Sequence, residues 1–151
     1  ALAGTRPVGL LAHTGTPGAS PAAAVTDTFP VTIPHVYGET EIPAAPDRVV
    51  AIGWSTPDAV IALGVDPVGI PFQAWGGDAD GFLPWTRAAL DGRTLPTMLD
   101  TSTEIPFEDV IGLRPDVILA PYSGITPEEY DTLSQIAPKA AATGQNRPKN
   151  T

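Results

Sequence analysis

The stretch that decides the fold is residues 48–70, RVVAIGWSTPDAVIALGVDPVGI. Its β-branched run at residues 49–52 is typical of a strand buried on both faces. Thr56 and Pro57 predict a helix start, because a threonine hydroxyl caps the free N–H groups of the first turn and proline fits the first helical position. Gly64 suits a left-handed helix exit, and the apolar residues after it predict a second strand. The stretch therefore predicts a β-α-β unit, in which ligands bind at the loop after the first strand.

A second stretch, residues 117–136, repeats this order with VILAPYSGITPEEYDTLSQI. It predicts a strand, a loop with an aromatic residue and a serine, a Thr-Pro pair and a helix. Thr126 and Glu129 have the spacing of a capping box. Because the carboxyl ends of parallel strands meet at one edge of a sheet, two aromatic-plus-hydroxyl loops are expected side by side: Trp54 with Ser55, and Tyr122 with Ser123.

The rest of the chain predicts a complete α/β domain. We expect a three-layer, doubly wound and mostly parallel sheet of four or five strands, with helices on both faces and an N-terminal β-hairpin. The further elements expected are the hairpin at 29–43 with its turn at Gly38-Glu39, a helix at 83–90, a strand at 97–99, a helix at 106–113 and a strand at 139–143. Residues 1–28 predict a disordered tether and residues 144–151 a disordered tail, since neither has a sustained apolar period.

Composition excludes several classes of function. The 151 residues carry 17 acidic and 8 basic side chains, for a net charge of −9. This argues against a nucleic-acid partner, which selects basic surfaces. There is no cysteine, so thiolate metal sites and cysteine nucleophiles are excluded. No apolar run is long enough to span a bilayer, and a signal segment, if one existed, is expected to have been removed already.

The sequence offers no convincing catalytic or metal-binding set. Its two histidines, His13 and His35, are far apart, and no phosphate-binding loop or Gly-x-Ser-x-Gly motif is present. We therefore predict that the chain is not an enzyme. The alternative is an enzyme on a flavodoxin-like scaffold that uses Ser55 or Ser123.

Taken together, several segments resemble the N-terminal lobe of the substrate-binding proteins of bacterial iron–siderophore ABC transporters, a class that includes haem and cobalamin binders. The segments are FPVTI…YGETEIPAAPDRVVAIGW, ALGVDPVGI, IPFEDVIGLRPDVILA and YSGIT…YDTLSQIAP, within residues 29–138. The family implies two α/β lobes joined by a long helix, with the ligand gripped between them. On this resemblance, residues 29–143 are the N-terminal lobe, the linking helix and second lobe are absent, and the protein acts outside the cytoplasm, at the cell surface or in the periplasm.

The resemblance also suggests which side chains contact the ligand. Aromatic rings offer wide contact to large, partly apolar ferric complexes, and Arg pairs with anionic oxygens. The predicted ligand-binding residues are Trp54, Ser55, Gln73, Trp75, Trp85, Arg87, Tyr122 and Ser123, with Arg93 a weaker candidate. The alternatives are a core position for the rings, Trp85 above all, local capping for the serines and a solvated helix face for the arginines.

The predicted function is non-catalytic binding of a ferric siderophore for import. The ligand carries the iron, so no cofactor and no protein ligand to the metal are expected. The expected partner is an ABC-transporter permease, and Glu108 resembles the glutamate with which the family docks; ordinary stabilisation of a helix's first turn is the alternative. A lone or truncated lobe with an assembly role, including a homodimer that restores a two-sided cleft, is the other alternative.

Overall fold

A computed structural model describes residues 28–137. Ten elements follow one another along this part of the chain. They are β1 (Val31–His35), β2 (Gly38–Ile42), β3 (Val49–Gly53), α1 (Thr56–Ala62), β4 (Gly69–Pro71), α2 (Pro84–Ala89), β5 (Thr97–Leu99), α3 (Phe107–Gly112), β6 (Val117–Tyr122) and α4 (Pro127–Ile136). Within residues 28–137, no helix is long and apolar enough to cross a membrane. The predicted tether, tail and strand at 139–143 lie outside the described residues.

The main sheet has four parallel strands in the order β5-β4-β3-β6. Because the strands are parallel, their carboxyl ends all lie at one edge, which we call the carboxyl edge. Three loops that leave this edge toward helices carry predicted ligand-binding residues. The first edge loop is 54–55, between β3 and α1; the second is 123–126, between β6 and α4; the third is 72–83, between β4 and α2.

The helices form layers on both faces of the sheet, as predicted. Alternate residues of β3 point to opposite faces. Val50 and Ile52 belong to one apolar core, with α3 and α4, while Val49 and Ala51 belong to the other, with α1 and the two residues Phe82 and Leu90 that flank α2. Strand β3 is therefore buried on both sides, which explains its continuous apolar sequence.

The N-terminal hairpin is confirmed, but its predicted turn is wrong. The turn consists of Val36 and Tyr37, and Gly38 is already the first residue of β2, paired with His35. Tertiary contacts account for the shift. The ring of Tyr37 lies 4.7 Å from that of Tyr130 on α4, and its hydroxyl donates to the Ile125 carbonyl at 2.5 Å. The turn residue thus fastens the hairpin to the main domain.

The predicted capping role of Thr56 is also wrong. Helix α1 begins at Thr56 itself, and the residue before it, Ser55, is the N-cap, in a left-handed conformation with φ 62° and without a side-chain capping bond. Thr56 is 4% exposed, and its hydroxyl has no hydrogen-bond partner in the described part of the chain. At the other end of α1, Gly64 has φ +85°, the left-handed exit that the sequence predicts.

Strand β6 is longer than expected from its sequence. Pro121 suggests a strand end, because it cannot donate to a ladder, yet β6 continues to Tyr122. It is an end strand of the described sheet, where such a residue is tolerated. The register with β3 also shifts here: Ala51 pairs with Leu119, whereas Gly53 pairs with Tyr122. This bulge redirects the strand end beside the first edge loop.

Candidate functional site

The first and second edge loops meet at the carboxyl edge, as predicted. The backbone N–H of Trp54 donates to the Tyr122 carbonyl at 3.1 Å. Gly53 makes this approach possible, because a Cβ atom built on it would lie 2.7 Å from the same carbonyl oxygen. Gly53 also has φ +100°, which favours glycine. A glycine thus brings the two aromatic residues onto adjacent backbone.

The two loop serines have different surroundings. Ser55 is exposed at the start of α1. The Ser123 hydroxyl donates to the Ala120 carbonyl at 2.9 Å and accepts a longer bond from the Ile125 N–H. The local capping role that the sequence left open is therefore present for Ser123. Ser55 keeps its side chain at the surface.

The third edge loop folds back on itself beside β4. The Gln73 N–H donates to the Gly81 carbonyl at 3.0 Å, so the end of the loop returns to its beginning. Gly81 has φ +85°, and a Cβ atom there would overlap the Phe72 ring. The fold-back returns the start of α2, and with it Trp85, to the neighbourhood of the carboxyl edge. The Gln73 side-chain amide makes only a long bond, 3.4 Å, to the Pro71 carbonyl.

A carboxylate organises the tip of this third loop. One oxygen of Asp78 accepts from the backbone N–H groups of Asp80 and Phe82, each at 3.0 Å. Its other oxygen accepts from Nε of Arg87 at 2.9 Å. These bonds, chiefly that from the Phe82 N–H, hold the pKa of the Asp78 carboxyl below its ordinary value.

Arg87, on α2, binds two carboxylates of the same loop. Its guanidinium contacts Asp78 and Asp80, at 2.8 and 2.6 Å, and lies 4.2 Å from the centre of the Phe82 ring. The hydrogen bonds to the two carboxylates raise its pKa. These pairs give Arg87 a partner other than a ligand; its predicted contact with an anionic ligand stays a prediction. Arg93 pairs with Asp66, next to the opposite edge of the sheet.

The candidate rings lie at the surface rather than in the core. Trp54, Trp75 and Trp85 are 78%, 92% and 60% exposed, and Tyr122 is 74% exposed. The core alternative for Trp85 is therefore wrong. Each of these rings is on a segment that starts from the carboxyl edge, and we call the four together the aromatic surface. Exposed aromatic groups at the ends of parallel strands are typical of a contact surface.

The predicted docking residue lies apart from these rings. Glu108 is exposed in the first turn of α3, where it forms no ion pair with another described residue. It borders a depression of about 360 Å³ lined by residues 104–109. A second depression, of about 480 Å³, lies between α3 and α4 toward the opposite edge. Neither of these two depressions includes a residue of the aromatic surface.

The described residues contain no group of three or more His, Cys, Asp or Glu side chains that could hold a metal ion. His35 hydrogen-bonds to Thr40 at 2.8 Å and packs on Tyr130 in the hairpin junction. The carboxylates of Asp78 and Asp80 bind Arg87. The side chains at the carboxyl edge offer aromatic contact, hydrogen bonding and the charges of Asp78, Asp80 and Arg87.

Two features at the edge escaped the sequence analysis. Phe72, directly after β4, is 41% exposed, and its aromatic character at a strand end was an available signal. The Thr56 hydroxyl, at the start of α1, is buried without a partner among residues 28–137, and no sequence signal distinguishes it from a capping threonine. Phe72 opens the third edge loop, and Thr56 directly follows the first.

Sequence comparison finds related proteins that are longer than this chain. No protein-family model matches it. It is 33% identical over 113 residues to the probable siderophore-binding lipoprotein YfiY of Bacillus subtilis, covering 74% of this chain and 32% of the relative. It is 30% identical over 125 residues to the Fe(3+) dicitrate-binding periplasmic protein FecB of Escherichia coli, covering 81% and 38%. The chain thus spans about a third of the length of these relatives.

Comparison with solved structures finds the same kind of protein, a solute-binding or siderophore-binding protein. The crystal structure of PiaA from Streptococcus pneumoniae in complex with ferrichrome matches with a TM-score of 0.69 and 40% identity, over 75% of this chain and 38% of that one. A periplasmic solute-binding protein from Mycobacterium smegmatis matches with a TM-score of 0.68 and 36% identity, over 77% and 40%. Over about three quarters of its length, the chain therefore resembles, in sequence and in fold, the substrate-binding proteins of iron–siderophore ABC transporters.

Proposed function

We propose that this chain binds a ferric siderophore on its carboxyl edge, as a non-catalytic carrier in ABC-transporter import outside the cytoplasm. The observation that carries the proposal is the pair of exposed rings, Trp54 after β3 and Tyr122 at the end of β6, whose backbones are joined by a hydrogen bond. Relatives named as siderophore-binding or iron-dicitrate-binding proteins support it. In this role residues 29–143 act as one lobe, and the iron arrives within its ligand.

The rings act by shape and apolar contact. A rigid aromatic side chain offers a large contact area while losing little conformational freedom on binding. We assign ligand contact to the four rings of the aromatic surface, and hydrogen bonding to Ser55, Gln73 and Ser123. Arg87 holds the third loop in shape and contributes to the charge of the surface.

Tryptophan fluorescence tests this proposal directly, since all three tryptophans of the chain belong to the aromatic surface. Titration with ferric hydroxamate, ferric catecholate, ferric citrate, haem and cobalamin is expected to give saturable quenching with a ferric siderophore. Tyr122→Ala, which keeps every tryptophan, is expected to weaken binding about tenfold, or about 1.4 kcal/mol. Leu63→Ala removes another exposed apolar side chain, at the far end of α1, and is the matched control. Equal effects of the two variants, or no quenching in a folded protein, contradict the proposal.

We propose that the loaded protein docks on a permease and that a basic side chain of the permease pairs with Glu108. The support is the exposed position of Glu108 and the absence of an ion pair with another described residue. Glu108→Gln is expected to reduce transport in a reconstituted system while leaving siderophore affinity unchanged. Asp131→Asn, an exposed carboxylate on α4, is the control. Loss of siderophore affinity in Glu108→Gln contradicts a docking role.

The second candidate function is self-association through the aromatic surface. The exposed rings favour it, because large apolar groups clustered at a surface commonly mark protein contacts. Native mass spectrometry distinguishes the two. A dimer that Trp54→Ala dissociates, without any siderophore binding, supports assembly; a monomer that binds a siderophore supports the carrier.

A further inference from the structure

The described part of the chain contains four basic side chains, all of them arginines: Arg48, Arg87, Arg93 and Arg114. Three lie toward the opposite edge of the sheet. Arg48 donates to the carbonyls of Leu113 and Arg114, just before β6 begins. Arg93 pairs with Asp66, just before β4. Only Arg87 lies on a segment that leaves the carboxyl edge.

The charge of Arg87 is more than balanced by its neighbours. Asp78 and Asp80 both bind its guanidinium, so this group of side chains carries a net negative charge. Asp78 is itself fixed by the N–H groups of Asp80 and Phe82. The pairs therefore belong to the folded loop, and turning Arg87 toward a ligand breaks them.

The other charged groups at the carboxyl edge are carboxylates. Asp100 directly follows β5 and accepts from the Ser102 N–H at 3.0 Å. Glu104 is exposed in the next turn. Within residues 28–137, this edge thus combines exposed aromatic rings with an excess of negative charge. An anion approaching this edge is repelled, because its electrostatic energy rises, whereas an uncharged complex of the same shape meets no such penalty.

We infer that the carboxyl edge selects a ferric complex without net negative charge, the class of the tris-hydroxamates. In such a complex three singly deprotonated hydroxamates balance the charge of the ferric ion. Tris-catecholate and citrate complexes carry surplus negative charge and are disfavoured. This inference rests on the proposed function and adds the class of ligand.

The test compares three iron-loaded probes on the full chain by tryptophan quenching: an uncharged tris-hydroxamate, a tris-catecholate and ferric citrate. The hydroxamate is expected to bind at least about tenfold more tightly than either anion. Its affinity is expected to change little with salt, while that of the anions rises as salt screens the repulsion. Tighter binding of an anion, or anion binding that salt weakens, overturns the charge inference and leaves the proposed function standing. Quenching by none of the probes overturns the proposed function itself.

A pair of variants locates the effect. Asp80→Asn removes one of the two carboxylates that pair with Arg87. Because the Asp80 side chain is 72% exposed, the variant is expected to fold, and circular dichroism checks this. Asp66→Asn makes the same change of net charge beside Arg93, next to the opposite edge. The ratio of anion to hydroxamate affinity is expected to rise several-fold in Asp80→Asn and to stay unchanged in Asp66→Asn. Equal ratios in both variants show that charge at this edge does not select the ligand.

Discussion

The first and second edge loops come from similar sequences and are built differently. In the first, Ser55 holds a left-handed conformation and the Thr56 hydroxyl is buried without a described partner. In the second, Thr126 and Glu129 form a complete capping box. The same Thr-Pro pair therefore opens both helices while the threonine plays different roles. The first loop, with its left-handed serine and a following hydroxyl that lacks a described partner, is the better marker of function.

The two loops differ in structure because they differ in length and because the second contacts the hairpin. Between the ends of the strand and the helix, the first loop has only Trp54 and Ser55, whereas the second has residues 123–126. The second loop is also held by the hairpin, through the Tyr37 hydroxyl on the Ile125 carbonyl. Burial and the nearby carboxylates of Glu129 and Glu128 raise the pKa of Tyr37, which keeps this donor protonated. The second loop is thus a fixed support on which the first loop rests.

The largest expected effect is at Gly53, where the two loops touch. Gly53→Ala combines an unfavourable positive φ with overlap on the Tyr122 carbonyl, and we expect a loss of about 3 kcal/mol in the free energy of unfolding. Gly124→Ala is the counterpart in the second loop. It has φ +66° but no atom within 4 Å of the new Cβ, so about 1 kcal/mol is expected. Urea denaturation measures both, and equal losses contradict the close approach of the loops.

The two threonines provide a test of intermediate size. Thr126→Val removes the side-chain acceptor of a capping box, and we expect unfolding free energy to fall by about 1 kcal/mol. Thr56→Val removes a hydroxyl without a described partner at nearly constant shape, so the expected change is within about 0.5 kcal/mol or stabilising. Thermal unfolding measures the change in stability of both variants. A larger loss at Thr56 than at Thr126 shows that the Thr56 hydroxyl has a partner in solution.

The smallest expected effect concerns acid and the third edge loop. The pKa of Asp78 is lower in the folded chain than in the unfolded chain, so its carboxylate stabilises the fold above the unfolded pKa of about 4. This stabilisation is lost as pH falls through the lower, folded pKa. We expect Asp78→Asn to lower the Tm near neutral pH and to differ less from the parent in strong acid. Asp131→Asn is the control for removing one exposed carboxylate, and a difference that grows on acidification contradicts the assignment.

Much of the candidate site was predictable because it depends on local order along the chain. An aromatic residue after a buried strand, followed by a helix start, places Trp54 and Tyr122 at the same edge of any parallel sheet. The exposure of Trp85 was not predictable, since an aromatic residue on a short helix fits a core as well as a surface. The pairing of Arg87 also escaped prediction, because it depends on how the third loop folds back to bring Asp78 and Asp80 to it.

By itself, the sequence determined the α/β class, the apolar strands, the capping box at Thr126 and the loops that carry the aromatic residues. These follow from periodicity and from bonds between residues close along the chain. Tertiary structure alone decided the turn of the hairpin, the bulge beside Gly53, the burial of the Thr56 hydroxyl and the net negative charge at the carboxyl edge. Each of these depends on atoms far apart in sequence, whose packing and electrostatic energies exist only once the chain is folded.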